Sequence, residues 1–399
     1  MLHQDRHSGE SRIPASFVRL ARRGTLLAII PALLLMGSPA TAEILIGAAG
    51  PFSGPNASLG EQLRRGVQMA VDDINATGGV RGEPLSLKFA DDGCDPRKAV
   101  EVATGFVSAG VKLVTGHYCS GASIPASKVY ERAGIVQISP ASTHPKFTDE
   151  GGWNVVRLVP RDDAQGAAAA ALALQHFGEN KIAILNDQSP AALSLAARFR
   201  EGLASQGATP VLDEAYKPGA KSYAELADRL AAAGAGVIYL AGSYVEGGII
   251  VREVKGLRPE AQFIVSDALV TEDFGNVARD AAEGTLMSFT FDARKFPTAR
   301  SVMDRFRADD YSAEGFTLYA YAAIQAWVAA AEATGTTDSN RIADWLRGGN
   351  RFNTVVGEVS FDAKGDLRQP KIAWFKWTKG RYAEIDPATL EPPVFDTTP

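Results

Sequence analysis

Two short stretches concentrate the residues that could do chemistry: Asp91-Asp92-Gly93-Cys94-Asp95-Pro96 and, about 25 residues on, Thr115-Gly116-His117-Tyr118-Cys119-Ser120. They hold the only two cysteines of the chain, each just past an apparent β-strand. In an exported protein the two could pair, and a disulfide there would pin the loop that carries Ser120. A third stretch, Ser139-Pro140-Ala141-Ser142-Thr143, sets small hydroxyl residues at another strand end. In open α/β sheets ligands gather at the carboxyl edge, where helix N-termini present unpaired N–H groups suited to a carboxylate. Any one of these serines would serve equally as a helix cap, but two clusters at neighbouring strand ends point to an anion site. The ammonium half of an amino acid needs an acid, and Asp267, directly after the apolar run 263–266, is placed to reach across a cleft. Asp187, after the run ending at Asn186, competes for that role.

Catalytic signatures are missing. The chain has no G-x-S-x-G, no P-loop and no G-x-G-x-x-G, and Gly47-Ala48-Ala49-Gly50-Pro51 puts a proline where a dinucleotide turn needs close backbone approach. His117 and Cys119 make two metal-type ligands without a third. Ser123 and Ser142 lack a paired base in the sequence. The expectation is therefore a binding protein, with no enzyme activity, no cofactor and no metal.

Residues 1–42 read as a signal peptide: Arg19, Arg22 and Arg23, an apolar core from Leu26 to Met36, and Ala40-Thr41-Ala42 as a small-residue cleavage site. The apolar core is about 11 residues, short of the roughly 20 a membrane-spanning helix needs. A soluble periplasmic product starting at Glu43 is expected. The leader holds five of the 41 Lys and Arg and two of the 46 Asp and Glu, so the rest carries a formal charge of −8. Such a surface offers no electrostatic footprint for nucleic acid. The remaining length exceeds what one hydrophobic core organises, so two domains are expected.

The elements that must position these residues follow from the alternation of short apolar runs with amphipathic stretches, the pattern of a parallel sheet flanked by helices. Strands are expected at 44–49, 85–90, 111–115, 135–139 and 155–159, then in a second series at 181–186, 210–215, 237–241 and 263–266. Ser58 and Glu61 suggest a capping box for the first helix, and Asp95-Pro96 an N-cap followed by proline at the first helical position. Helices at 316–333 and 342–346 and strands at 356–361 and 372–377 are expected later, with a loosely ordered tail from Pro387.

From Glu43 to about Trp377 the chain resembles the periplasmic leucine/isoleucine/valine-binding proteins, the substrate-binding components of branched-chain amino acid ABC transporters. The motifs that carry the resemblance are Gly50-Pro51-Phe52-Ser53-Gly54, Asp72-Asp73-Ile74-Asn75 with Gly78-Gly79, the two cysteine stretches, Ser139-Pro140-Ala141-Ser142-Thr143 and Lys364-Gly365-Asp366-Leu367. The resemblance implies a type I binding-protein fold of class α/β, two Rossmann-like lobes joined by three crossovers and closing by a hinge. On that pattern one lobe comprises 43–161 with 291–371 and the other 162–290 with 372–399. It implies a Cys94–Cys119 disulfide, Ser120 and Thr143 (with Ser142 beside it) on the ligand carboxylate, and the Ala141 carbonyl with Asp267 on the ammonium. Leu59, Ala191 and Ser243 stand where the family has pocket tyrosines, and a one-residue shift would give Tyr244 the last of these roles. A roomier pocket would admit a bulkier or more polar side chain than leucine or valine. The implied partners are an amino acid ligand and the permease and ATPase subunits of an importer, with the binding protein itself a monomer. An amide, urea or aromatic acid ligand on the same fold, and a sensor that reports to a receptor, are the alternatives.

Overall fold

The computed structural model describes residues 43–178 and 180–390. The expected signal peptide and the end of the tail lie outside them. Strand β1 (Ile44–Gly50) leads into helix α1 (Ala57–Ala76), and β2 (Leu85–Asp91), α2 (Pro96–Ala109), β3 (Leu113–Gly116), α3 (Ser120–Ala133), β4 (Val136–Ser139), the single turn α4 (Lys146–Asp149) and β5 (Val155–Arg157) follow. These five strands form one parallel sheet in the order β2-β1-β3-β4-β5. The second series runs α5 (Asp162–Phe177), β6 (Ile182–Asn186), α6 (Pro190–Ser205), β7 (Leu212–Ala215), α7 (Ala224–Ala233), β8 (Val237–Ala241), α8 (Tyr244–Leu257), β9 (Gln262–Val265), α9 (Glu272–Ala278) and β10 (Leu286–Phe289).

The chain then builds α10 (Arg300–Ala308), α11 (Thr317–Thr334), α12 (Ser339–Arg347) and a small hairpin, β11 (Phe352–Thr354) with β12 (Gly357–Val359). It ends in β13 (Ala373–Thr378) and β14 (Arg381–Ile385), which join the second sheet in the order β14-β13-β10-β9-β8-β6-β7. The fold is thus α/β with two separate, mostly parallel sheets. Its chain passes from the first sheet to the second after β5, returns after β10 and crosses again before β13. Among the described residues no helix is long and apolar enough to cross a membrane.

Local chemistry explains the elements that matter for the site. Asp95 caps α2, accepting from the N–H groups of Arg97 at 2.7 Å and Lys98 at 2.9 Å, with Pro96 at the first helical position as expected. The expected Ser58–Glu61 capping box does not form. Helix α1 starts two residues earlier, with Asn56 at the cap position, and Ser58 turns its hydroxyl to Asp273 while Glu61 pairs with Arg64 and Arg65. Helix α11 is apolar all round and almost wholly buried, Trp327 included, because it lies between α1 and the first sheet. Gly66 makes that contact possible, since a Cβ there would stand 2.1 Å from the Thr317 carbonyl oxygen. Strands β10, β11 and β14 were not anticipated. Each is only three to five residues long, and a run that short carries little periodicity. Pro387–Thr389, expected to be loosely ordered, forms a 3-10 turn closed by Asp386, which caps it.

Candidate functional site

A cavity of about 150 Å³ lies where the carboxyl ends of the two sheets face each other. From the first sheet it is walled by residues that follow β1, β3 and β4; from the second, by residues that follow β6, β8 and β9. Ligand sites at such edges follow from strand direction, which sends every strand-to-helix loop to the same side.

The anion end is built on two loops. Ser120 is the first residue of α3, where first-turn N–H groups lack an acceptor within the helix. Its hydroxyl is buried and accepts the His144 N–H at 3.2 Å, tying the β3 loop to the β4 loop. In the second loop the Ser139 hydroxyl accepts the Ser142 N–H at 2.9 Å and donates to the His117 carbonyl at 3.2 Å, which shapes the turn that presents Ala141 and Thr143. Ser142 does not line the cavity. Its hydroxyl is spent on Ser123 at 2.5 Å and on the carbonyls of His117 and Tyr118.

Beneath these loops the His117 ring is fully enclosed, with Nδ1 2.5 Å from the Asp92 carboxylate and Nε2 2.9 Å from the Tyr130 hydroxyl. Asp92 also accepts the Cys94 N–H at 2.7 Å. His117 is thus a structural strut. Cys94 and Cys119 are joined in a disulfide 25 residues apart that closes the same region from outside. Replacing both with serine is expected to lower stability by about 3 kcal/mol in the chain-entropy picture while ligand binding stays measurable. Urea unfolding of oxidised and double-serine proteins tests this, and equal midpoints would contradict it.

Arg157 holds the β4 loop from behind. It is fully buried and donates to the Ser142 and His144 carbonyls at 3.0 Å each and to Asp366 at 2.6 Å. Asp366 comes from the Lys364-Gly365-Asp366-Leu367 stretch and also accepts from Thr148 and Arg161. A motif more than two hundred residues downstream in sequence thereby fixes the geometry of Thr143.

On the opposite wall Asp267 sits two residues past the end of β9, buried, with burial pushing its carboxyl up to about 6. Among the described residues no lysine, arginine or histidine lines the cavity. Asp162, at the start of α5, is fully buried behind the wall; burial and the neighbouring Asp267 raise its carboxyl to about 7, the Thr143 and Ser194 hydroxyls moderating the rise. Its charged flanks in sequence, Arg161 and Asp163, gave no sign of this, because the group acquires its buried neighbours only where the chain crosses between the sheets.

Leu59, Ala191 and Ser243 all line the cavity, as do Ser120, Ala141, Thr143 and Asp267. Tyr244 does not; its hydroxyl donates to the Pro55 carbonyl at 3.2 Å and so bridges the two sides of the cleft. Ser58 and Asp273 make a second bridge. Asp187, the competing acid, lines the cavity too. Sequence reasoning missed Tyr118 and Phe316 as wall residues. Their rings meet edge to face at 5.0 Å, a pairing between two distant segments that no local pattern announces.

Comparison with known proteins bears on this geometry. The periplasmic binding protein family matches residues 43–381. The Leu/Ile/Val-binding protein homolog 1 of Brucella suis biovar 1 is 37% identical over 351 residues, covering 88% of this chain and 95% of that protein. The branched-chain amino acid transporter substrate binding protein LivJ from Streptococcus pneumoniae, solved with isoleucine, superposes with a TM-score of 0.78 at 25% identity over 86% of this chain and all of that one. An ABC transporter substrate-binding protein from Desulfitobacterium hafniense, solved with Leu, has a TM-score of 0.71 at 29% identity, again covering 86% and 100%.

Proposed function

The chain belongs to the periplasmic binding protein family, and from that premise we propose that it is the periplasmic substrate-binding component of an ABC importer, taking α-amino acids into its cleft and handing them to a membrane permease. The observation that carries this reading is the division of the cavity wall. Hydroxyls and a helix N-terminus at Ser120 and Thr143 face a buried acid, Asp267, and among the described residues no lysine, arginine or histidine lines the cavity. Such a wall fits a zwitterion, because each buried charge must find a partner to offset its desolvation. The neutral donors take the carboxylate, and Asp267 with the Ala141 carbonyl takes the ammonium. We assign one lobe to 43–161 with 291–371 and the other to 162–290 with the remainder, closing over the ligand at the three crossovers. Closure buries the ligand and creates a composite surface for the permease to recognise. The chain performs no turnover on this reading.

Thermal-shift screening of ligand-stripped protein against the proteinogenic amino acids, with urea, short amides and aromatic acids alongside, tests the proposal. Stabilisation by α-amino acids alone is expected. Stabilisation only by the other classes would overturn the zwitterion assignment.

A pH dependence follows from Asp267. The ammonium needs the ionised carboxylate, and burial raises that group's carboxyl to about 6. Affinity is therefore expected to hold at pH 7 and above, and to fall about tenfold per unit below pH 6. For the protein without ligand the sign is opposite: a carboxyl raised by folding makes the folded state hold its proton more tightly. That contribution to stability is present at low pH and is lost as pH rises through about 6. Calorimetric titrations from pH 5 to 8 measure the first effect, and a flat profile would contradict the role of Asp267.

A further inference from the structure

The cavity carries more negative charge than the head group of an amino acid accounts for. Besides Asp267, Asp187 lines it, at the end of β6. In the order β9-β8-β6 these acids stand two strands apart. Asp187 is mostly buried, and burial with nearby Glu246 pushes its carboxyl up. Its Oδ1 accepts the Ser189 N–H at 2.9 Å, and no cation pairs with it among the described residues.

The surroundings of Asp187 are polar and small. Ser189, Ser243 and Gly242 share its part of the wall, and Asn56 stands at the β1 edge of the same cavity. Behind Gly242 lies Tyr216, 4% exposed, whose hydroxyl has no hydrogen-bond partner. A Cβ on Gly242 would fall 2.0 Å from that hydroxyl and 3.1 Å from Asp187, so only glycine lets the hydroxyl and the acid approach one another at this wall, which Tyr216 itself does not line. Glu246 is buried beside them; one of its carboxylate oxygens accepts the Gly219 N–H at 2.9 Å, and the other has no partner.

We propose that Asp187, with the Tyr216 hydroxyl behind Gly242, forms a subsite for a cationic group at the end of the ligand side chain, so that the preferred ligand is a basic α-amino acid. This rests on the head-group reading above. Adjacent strands lie about 4.8 Å apart, which separates the two acids by roughly 10 Å at their strand ends, and charge-assisted bonds take about 2.8 Å at each end. That leaves roughly 4 Å between the two nitrogens, which a three- or four-carbon side chain ending in an ammonium, about 6–7 Å when extended, spans in a bent rotamer. An alkyl side chain would leave the second carboxylate without a cation and the tyrosine hydroxyl without a partner, which is unfavourable. Small residues at Ala191 and Ser243, in place of rings, leave the path to Asp187 open.

The test is isothermal titration calorimetry on the exported protein, stripped of ligand by unfolding and refolding, with L-lysine, L-ornithine, L-norleucine and L-leucine. Lysine or ornithine is expected to bind at least tenfold more tightly than norleucine, which matches lysine in side-chain length without the charge. Asp187→Asn is expected to lower lysine affinity at least tenfold more than norleucine affinity; the wild-type ranking decides alone should that variant not fold. Leucine or norleucine binding as tightly as the basic pair would overturn the subsite and leave the head-group reading standing. Failure of every α-amino acid to bind would overturn both.

Discussion

Asp267→Asn is expected to weaken α-amino acid binding by about ten- to 150-fold, since a hydrogen bond to a charged group contributes roughly 1.5–3 kcal/mol. The acid lies inside a wall that offers no other charge of either sign within the head-group end. Asparagine keeps the size and one acceptor but loses the Coulomb attraction to the ammonium. Asp267→Glu retains the charge on a longer arm and is expected to lose less. The variant should also unfold at a temperature no lower than the parent without ligand, because it removes a carboxylate that burial disfavours. Calorimetry on ligand-stripped protein, paired with thermal unfolding, separates the two effects. Unchanged affinity in a folded Asp267→Asn protein would remove Asp267 from the site.

Asp366→Ala is expected to destabilise the fold by about 3–5 kcal/mol, the range for stripping one partner from a buried ion pair. Arg157 would be left enclosed, fully buried, with its Nε facing a vacated position. The same guanidinium holds the Ser142 and His144 carbonyls, so the turn presenting Thr143 should loosen and ligand affinity fall with stability. Urea unfolding reads the first effect and calorimetry the second. A loss below about 1 kcal/mol would show that Arg157 finds compensation elsewhere, and the strut role would fail.

The two predictions differ in how visible their residues are in sequence. Asp267 follows an apolar run directly, and Ser120 and Thr143 open loops at strand ends, so their position on the carboxyl edge follows from local pattern alone. The Asp366 motif is conspicuous as a stretch of residues, yet nothing in it reveals that its partner is Arg157, because that pairing depends on the return of the chain after β10. Ser142 illustrates the reverse error. It sits inside the right motif, but the turn aims its hydroxyl at the His117 and Tyr118 carbonyls and away from the cavity.

By itself the sequence determined the α/β alternation, the strand-end loops that carry the head-group residues, the cap of α2 and the apolar helix α11. Each of these depends on residues a few positions apart, within reach of one helical turn or one strand. Tertiary structure alone decided the order of strands in the two sheets, the short strands β10, β11 and β14, the enclosure of Asp162, and the meeting of Tyr118 with Phe316 and of Asp187 with Tyr216. Those contacts join segments far apart along the chain, and burial, which sets the charge state and the partners of each acid, exists only once the sheets have packed.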